Sequence, residues 1–177
     1  MVQLHDATSR HYDFRLEVDG VLRSWAVPRG PSLDPAQRRL AQPVADHALE
    51  HADFEGVIPD APRGTGAVII WDRGTFAARG DASAAEALAS GHLGFDLHGQ
   101  KLRGGWALTR VSEAPGERWV LVKVRDDSAD RDADLVAECP ESVVSGLTVD
   151  ELATQPPTTT AAGTSRYSTK KRAQIRM

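Results

Sequence analysis

Hydrophobic and polar positions alternate along several short stretches of the chain, most clearly from His11 to Val18. The even-numbered residues of this stretch are apolar, and the odd-numbered ones are polar or charged. A period of two is typical of a β-strand that buries one face. The pair Asp19-Gly20 comes next, and it is a favoured two-residue turn because both of its residues must reach positive φ. The pattern therefore predicts a β-hairpin over residues 11–27.

The two-residue turn also fixes the register of this hairpin, and with it the neighbours on the polar face. Arg15 is expected opposite Ser24, and Asp13 is expected opposite Ala26. Both facing residues are small. We therefore expect open space above the polar face, which a ligand or an ion could occupy.

Further strands and helices follow from similar patterns. Short apolar or alternating stretches bounded by turn residues predict strands near 67–71, 75–79, 94–99, 105–111 and 118–124, with a turn at 72–74. Capping-box pairs predict two helices, Ser83 with Glu86 and Thr148 with Glu151. Asp34-Pro35 predicts a short helix through Arg39, and His47 and His51 have the spacing of one helical face. About seven strands with few helices favour a β-barrel or a sandwich.

Composition narrows the class of protein. The 177 residues suffice for one domain with a real core, and 41% of them are hydrophobic. The single cysteine, Cys139, excludes a disulfide framework and a cysteine-based zinc site. No apolar run approaches the roughly 18 residues that span a membrane, and the N-terminus lacks the apolar core of a signal peptide. A soluble, cytoplasmic protein is expected.

Charge is distributed unevenly along the chain. Residues 151–177 carry a balance of +4, which leaves −8 on the first 150 residues of a chain whose total is −4. From about Thr154 the sequence is rich in Thr, Pro and basic residues and poor in large apolar ones. We therefore predict a folded domain over 1–153 and a disordered basic tail over 154–177. Contacts with a polyanion must come from this tail or from a local basic cluster.

The polar face of the first hairpin carries candidate chemistry. His5, His11 and Asp13 offer two imidazoles and a carboxylate, a set that suits Mn²⁺, Fe²⁺ or Zn²⁺. The alternative is a strand face that simply meets water. Arg15 lies on the same face, and its planar fork can bind two oxygens of a phosphate, although a surface salt bridge is the plainer interpretation.

Other candidate residues lie downstream. A second basic group lies in a proline-rich segment and comprises Arg29, Arg38 and Arg39; the alternative for these three is an ordinary solvated surface. His47 and His51 could face a phosphate or could be structural histidines; the misplaced Glu50 excludes the H-E-x-x-H metalloprotease motif. Neither G-x-x-x-x-G-K-[ST] nor G-x-G-x-x-G occurs, so a nucleotide-cradling loop is not indicated.

Several segments, taken together and in order, resemble one known family. They are HDATSRHYDFRLEVDGVLRSWAVPRGPSLDP, DHALEHADFEGVIP, VIIWDRGTF, LHGQKLRGGWALTR and WVLVKVRD. With compatible spacing over roughly residues 2–127, they resemble the 3′-phosphoesterase domain of bacterial DNA ligase D. The match is far more specific than any single motif above.

The resemblance implies a mainly β fold, a small closed or partly open β-barrel with a polar crevice and a few short helices. It implies a manganese-dependent enzyme, another divalent transition metal being the alternative, that removes a 3′-terminal ribonucleoside from a primer end and then hydrolyses the remaining 3′-phosphate to a 3′-OH. On this basis His5, His11 and Asp13 are the metal ligands. Arg15, Arg39 and His47 are the catalytic residues near the scissile phosphate, and Arg29 and His51 complete the phosphate-binding set.

This sequence departs from the family pattern at several places. Arg29 replaces the usual lysine, Ala45 an acidic residue and His51 a tyrosine, and APRGTG at 61–66 replaces a glycine-rich turn. Ala45 and His51, together with the absence of the family's N-terminal extension, put the second, phosphomonoesterase step in question. The chain begins almost at the first motif, so we expect a stand-alone monomer without the family's N-terminal extension. It would meet DNA or RNA–DNA primer-template ends with a ligase and a polymerase supplied in trans.

Two other functions are compatible with the same scaffold. One is a non-catalytic DNA-end-binding adaptor of a repair complex, which would not need an intact set of His5, His11 and Asp13. The other is a phosphodiesterase for a small molecule, against which a shallow, open crevice would argue.

Overall fold

The computed structural model describes residues 1–58, 66–113 and 115–156. These residues contain ten strands: β1 (Val2–His5), β2 (His11–Val18), β3 (Val21–Val27), β4 (Arg39–His47), β5 (Gly56–Val57), β6 (Ala67–Asp72), β7 (Gly74–Ala78), β8 (His92–Gly99), β9 (Arg103–Ser112) and β10 (Arg118–Lys123). They also contain three short α-helices, α1 (Ala84–Ser90), α2 (Leu135–Glu138) and α3 (Val149–Ala153), and a 3₁₀ helix at Leu49–Asp53.

The first hairpin forms as the alternation predicts. Asp19 and Gly20 have φ values of 51° and 79°, so both residues of the turn are left-handed. In the pairing of β2 with β3, Arg15 lies opposite Ser24 and Asp13 opposite Ala26, which confirms the predicted register. The space above these residues is not open, however, because both Asp13 and Arg15 are buried.

The strands form a single antiparallel sheet in the order β5-β6-β1-β2-β3-β4-β10-β9-β8-β7. β6 and β7 are consecutive in the chain but lie near opposite ends of this order, joined only through Arg73. The two ends of the sheet must therefore approach each other. The fold is a mainly β, partly open barrel, as expected.

Asp72, at the end of β6, fastens one end of the sheet to the other. One carboxylate oxygen accepts from the backbone N–H groups of Gln100 and Lys101 at 2.9 and 3.0 Å. The second oxygen accepts from the N–H of Leu102 at 2.9 Å. All three donors belong to the turn between β8 and β9, so the segment 72–74 is a corner of the barrel and not the turn of a hairpin.

The interior of the barrel is filled by the apolar face of each strand. Phe14 of β2 and Phe95 of β8 meet across it with ring centroids 6.0 Å apart. The four tryptophans of the chain are all buried in it, which agrees with their positions in strands. Because side chains alternate along a strand, the polar residues of β1 to β3 must lie on the outer face of the barrel.

The capping boxes predict α1 and α3 correctly. Ser83 and Glu86 exchange side-chain-to-backbone hydrogen bonds at the start of α1, and Gly91 ends it with a left-handed φ of 91°. Thr148 and Glu151 form the same arrangement at α3. No helix among the residues that the structure describes is long and apolar enough to cross a membrane.

Two predicted helices are wrong. Asp34 caps a tight turn instead, accepting from the N–H of Ala36 at 2.9 Å, and Arg39 already begins β4, which pairs with β3 and β10. Two neighbouring strands thus supply more hydrogen bonds than an isolated helical turn could. His47 ends β4 and His51 lies in the 3₁₀ helix, so they share no helical face.

The strand count is also higher than predicted, because β4 and β5 carry no clear alternation and the alternation of β1 extends over only four residues. Part of the 61–66 segment and residues 157–177, which hold nearly all of the predicted tail, lie outside the described residues.

Candidate metal centre

The antiparallel pairing of β1 and β2 builds a cluster of three ligand-type side chains. His5 lies directly opposite His11, and their ring centroids are 5.2 Å apart. Asp13 is two residues further along β2, on the same face. One ligand atom from each residue lies within 4.8 Å of the other two. The structure therefore brings together the three residues that the sequence singles out as metal ligands.

The hydrogen bonds of His11 orient it as a ligand. Its Nδ1 lies 2.8 Å from the carbonyl oxygen of Ser9, which can only accept, so Nδ1 carries the proton. Its Nε2 then faces Asp13 Oδ1 at 3.5 Å. When the imidazole is neutral, Nε2 and Oδ1 are both acceptors and repel each other. A proton or a metal cation shared between the two atoms is needed to make their approach favourable. The hydrogen bond to Asp13 accordingly raises the pKa of His11, against the opposing effect of burial.

The charge states of the other two residues also suit a cation. Burial alone would raise the pKa of Asp13, but the hydrogen bond from His11 and the charge of Arg15 outweigh it and lower that pKa overall. Burial, and then the neighbouring His11, lower the pKa of His5 and favour its neutral form. A carboxylate and neutral imidazoles are the protonation states that bind metals.

Two imidazoles and one carboxylate fit Mn²⁺, Fe²⁺ or Zn²⁺ by donor chemistry. A bond of about 2.1 Å to each ligand keeps ligand atoms within roughly 4.2 Å of one another. The present separations, up to 4.8 Å, thus require a closure of a few tenths of an ångström, within reach of side-chain rotation.

Arg15 is the centre of the polar network beside this cluster. It is only 5% exposed. Its Nε donates to Gln3 Oε1 at 3.0 Å, one terminal nitrogen donates to Ser24 Oγ at 2.7 Å, and the other to Asp13 Oδ2 at 3.1 Å. The nitrogen that bonds Ser24 also lies 3.0 Å from His47 Nδ1. Burial lowers the pKa of Arg15, and the charge of Asp13 opposes that effect.

Gln3 is a residue of this network that the sequence analysis missed. It is 3% exposed, and its amide nitrogen donates to the carbonyl oxygens of His51 and Phe54 at 3.2 and 2.9 Å. Gln3 thus joins Arg15 to the segment that follows His47. A polar residue between Val2 and Leu4 is the signal that could have revealed it, had residues 2–5 been identified as a strand.

The two histidines beyond β4 come together although they share no helix. The rings of His47 and His51 are 5.0 Å apart and nearly perpendicular. His47 is half-buried beside Arg15, whereas His51 is exposed. Burial, followed by the charge of Arg15, lowers the pKa of His47. His47 therefore lies at the edge of the network, between the buried Arg15 and the exposed His51.

Arg29 and Arg39 form a separate basic group. Arg39 pairs with Leu121, whose side chain lies in the core, so the register does not place Arg39 on the outer face with Arg15. Burial and the charge of Arg29 lower the pKa of Arg39, and its Nε is buried without a hydrogen-bond partner among the described residues. No contact of the described part of the chain links either arginine to the His5–His11–Asp13 cluster. Their roles at a phosphate stay predictions.

Comparison with known proteins places this architecture in a family. The family model described as the DNA Ligase D 3′-phosphoesterase domain matches residues 3–110. The chain is 51% identical over 152 residues to the multifunctional non-homologous end joining protein LigD of Pseudomonas aeruginosa. It is 40% identical over 126 residues to the multifunctional non-homologous end joining DNA repair protein LigD of Mycobacterium tuberculosis.

The alignments cover 84% and 71% of this chain but only 18% and 16% of those two relatives, so the chain spans less than a fifth of their length. The residues that the family model matches include His5, His11, Asp13 and Arg15 on β1 and β2. The chain belongs to the DNA ligase D 3′-phosphoesterase domain family.

Proposed function

We propose that this protein hydrolyses phosphate esters at the 3′ ends of nucleic acid strands. The reaction would use a divalent transition metal, with Mn²⁺ as the first candidate, bound by His5, His11 and Asp13. The observation that carries the proposal is the position of Arg15. Its guanidinium touches the carboxylate of a two-histidine, one-carboxylate cluster. A cation and an arginine side by side form a site for a doubly charged phosphoryl group.

When bound, the metal would lower the pKa of a water molecule and neutralise negative charge on the phosphoryl group. Residues of the chain orient the metal ligands and the phosphoryl group. Ser9 fixes the ring of His11 through its carbonyl, and Arg15 holds the carboxylate of Asp13. Arg15 would bind a phosphoryl oxygen through a guanidinium whose position is set by Gln3 and Ser24. His47 Nε2 would donate the proton that the leaving oxygen needs.

The proposed substrate is a primer end with a terminal ribonucleotide. In the first step the oxygen of water bonds to phosphorus, the bond to the 5′-oxygen of the terminal nucleoside breaks, and that oxygen takes up a proton. The products are a nucleoside and a strand with a 3′-phosphate. A second attack of water on that phosphate would yield inorganic phosphate and the 3′-OH that a polymerase or a ligase requires.

The names of the two relatives support a role in DNA repair by non-homologous end joining, which we propose for this chain as well. The ligase and polymerase that would use the 3′-OH are proposed as partners. Arg29 and Arg39 would bind other phosphates of the strand.

The decisive experiment combines the protein, Mn²⁺ and a primer-template that ends in one ribonucleotide, and identifies the 3′ group over time. We expect a 3′-phosphate first and a 3′-OH later. His11→Ala should abolish both products, whereas His92→Ala, a histidine on β8 that bonds to Thr109, should retain them. Tight binding of the primer end without any product would refute the proposal and favour the non-catalytic adaptor.

A further inference from the structure

His47 Nδ1 lies at hydrogen-bond distance from two groups that need opposite protonation of that atom. Arg15 can only donate, so its contact at 3.0 Å requires an unprotonated Nδ1. The carbonyl oxygen of Ala45 can only accept, so its contact at 2.8 Å requires a protonated Nδ1. Only one of the two hydrogen bonds can exist at a time.

The donors of Arg15 decide which bond forms. A guanidinium has five N–H groups. Gln3, Ser24, Asp13 and His47 account for four of them, and no other partner is found within the described residues. With one N–H left, Arg15 can bind a phosphate with two donors only if it releases one of its present partners.

Release of His47 leaves the fewest unpaired groups. Gln3 and Ser24 are buried and would lose a partner that water cannot replace. Asp13 would lose the cation that holds its carboxylate. His47 is only half-buried, and its Nδ1 already has Ala45 as an alternative partner once it carries a proton.

We propose that a doubly charged oxyanion bound by Arg15 displaces His47. His47 then takes up a proton on Nδ1 and becomes an imidazolium, whose Nδ1–H donates a hydrogen bond to the Ala45 carbonyl oxygen. This inference deepens the proposed function, on which it rests through the phosphate role of Arg15. The proton comes from solvent, and no other bond changes. The oxyanion both removes the arginine donor and supplies the negative charge that an imidazolium beside Arg15 requires.

The charged groups around His47 agree with this direction. Arg15 on β2 and His51 on the 3₁₀ helix both lower the pKa of His47, after the larger effect of burial, whereas Asp13 on β2 raises it. The negative charge of an incoming dianion offsets the effects of Arg15 and His51 on this pKa. The bound substrate would thus create the acid that its own leaving oxygen needs, and a protein without substrate would keep His47 neutral.

Sulfate is the probe that tests this, because it is a dianion with no titratable proton near pH 7, about where histidine ionises. Nitrogen-15 NMR of the metal-free full chain reports the protonation of each imidazole nitrogen. Sulfate should convert His47 from a form with a proton on Nε2 alone to one with protons on both nitrogens. His92 and His98, on β8, serve as internal controls and should not change.

Calorimetry in buffers of different ionisation enthalpy supplies a second measurement. Wild type should take up close to a full proton per sulfate bound, and His47→Gln should take up almost none. If sulfate binds without a change in the protonation of His47, the inference is overturned. The proposed phosphoesterase activity is not affected by that result, because the primer assay tests it separately. Absence of sulfate binding, or equal proton uptake in His47→Gln, also overturns it.

Discussion

Replacement of Gln3 by leucine should show how far the site depends on a single buried amide. Gln3→Leu removes one hydrogen bond from the charged Arg15 and two bonds to the carbonyl oxygens of His51 and Phe54. Such bonds contribute about 1.5–3 kcal/mol when one partner is charged and about 0.5–1.5 kcal/mol when both are neutral. Because the His51 carbonyl oxygen keeps the N–H of Phe54 as a donor at 3.3 Å, we expect a loss of roughly 2–4 kcal/mol in the free energy of unfolding.

Urea unfolding followed by tryptophan fluorescence measures this loss. With a slope of about 2 kcal/mol per molar urea, the middle of the usual range, the midpoint should fall by roughly 1–2 M. Gln42→Leu is the matched control, since Gln42 is exposed on β4 and no hydrogen bond of its side chain is found in the described chain. A loss below about 1 kcal/mol, or one equal to that of the control, would refute the view that Gln3 holds Arg15 in place.

Three further predictions concern the metal, pH and the tail. Asp13→Ala should weaken Mn²⁺ binding by at least about tenfold in calorimetric titration, because the ion loses its only carboxylate ligand in the cluster; equal affinity would remove Asp13 from the site. In the metal-free protein the raised pKa of His11 adds stability that is full below about pH 6.5, the ordinary histidine value, and is lost as pH rises through the raised pKa. His11→Asn should flatten this dependence in urea unfolding at a series of pH values, and an unchanged slope would contradict the pairing with Asp13. Truncation after Pro156 removes five Lys and Arg residues but keeps the end of α3. The slope of log binding constant against log salt concentration should become less steep by up to roughly 4, while the turnover rate at saturating substrate stays the same. An unchanged slope would contradict a DNA-binding tail.

Local chemistry explains why part of the fold was predictable. The Asp19-Gly20 turn fixes the register of β2 against β3, because a two-residue connection leaves no other pairing, and the capping boxes fix the starts of α1 and α3. The opposite holds for β4. Its proline-containing sequence has no alternation, and it becomes a strand only because β3 and β10 offer it hydrogen bonds on both sides.

The candidate site also combines residues that local sequence patterns predict with residues that only long-range contacts bring together. The period of two places His11, Asp13 and Arg15 on one face of a strand from sequence alone. Residue type alone singles out His5 and His47 as candidates, and the resemblance to a family then suggests their roles. Residues distant in the chain were beyond such reasoning. The role of Gln3 depends on the 3₁₀ helix packing over β1, and the separation of Arg39 from Arg15 depends on the register of β4.

The first hairpin, the helix caps, the mainly β class and the ligand types of the cluster were therefore predictable, because each follows from residues within a few positions of one another. The burial of Arg15, with four of its donors already engaged, and the two competing partners of His47 Nδ1 depend instead on tertiary contacts. Those facts arise where β1, β2, β3 and the end of β4 meet. No local pattern predicts this arrangement, since hydrogen bonds between segments distant in the chain hold the strands in register; Leu22, for example, pairs with His47.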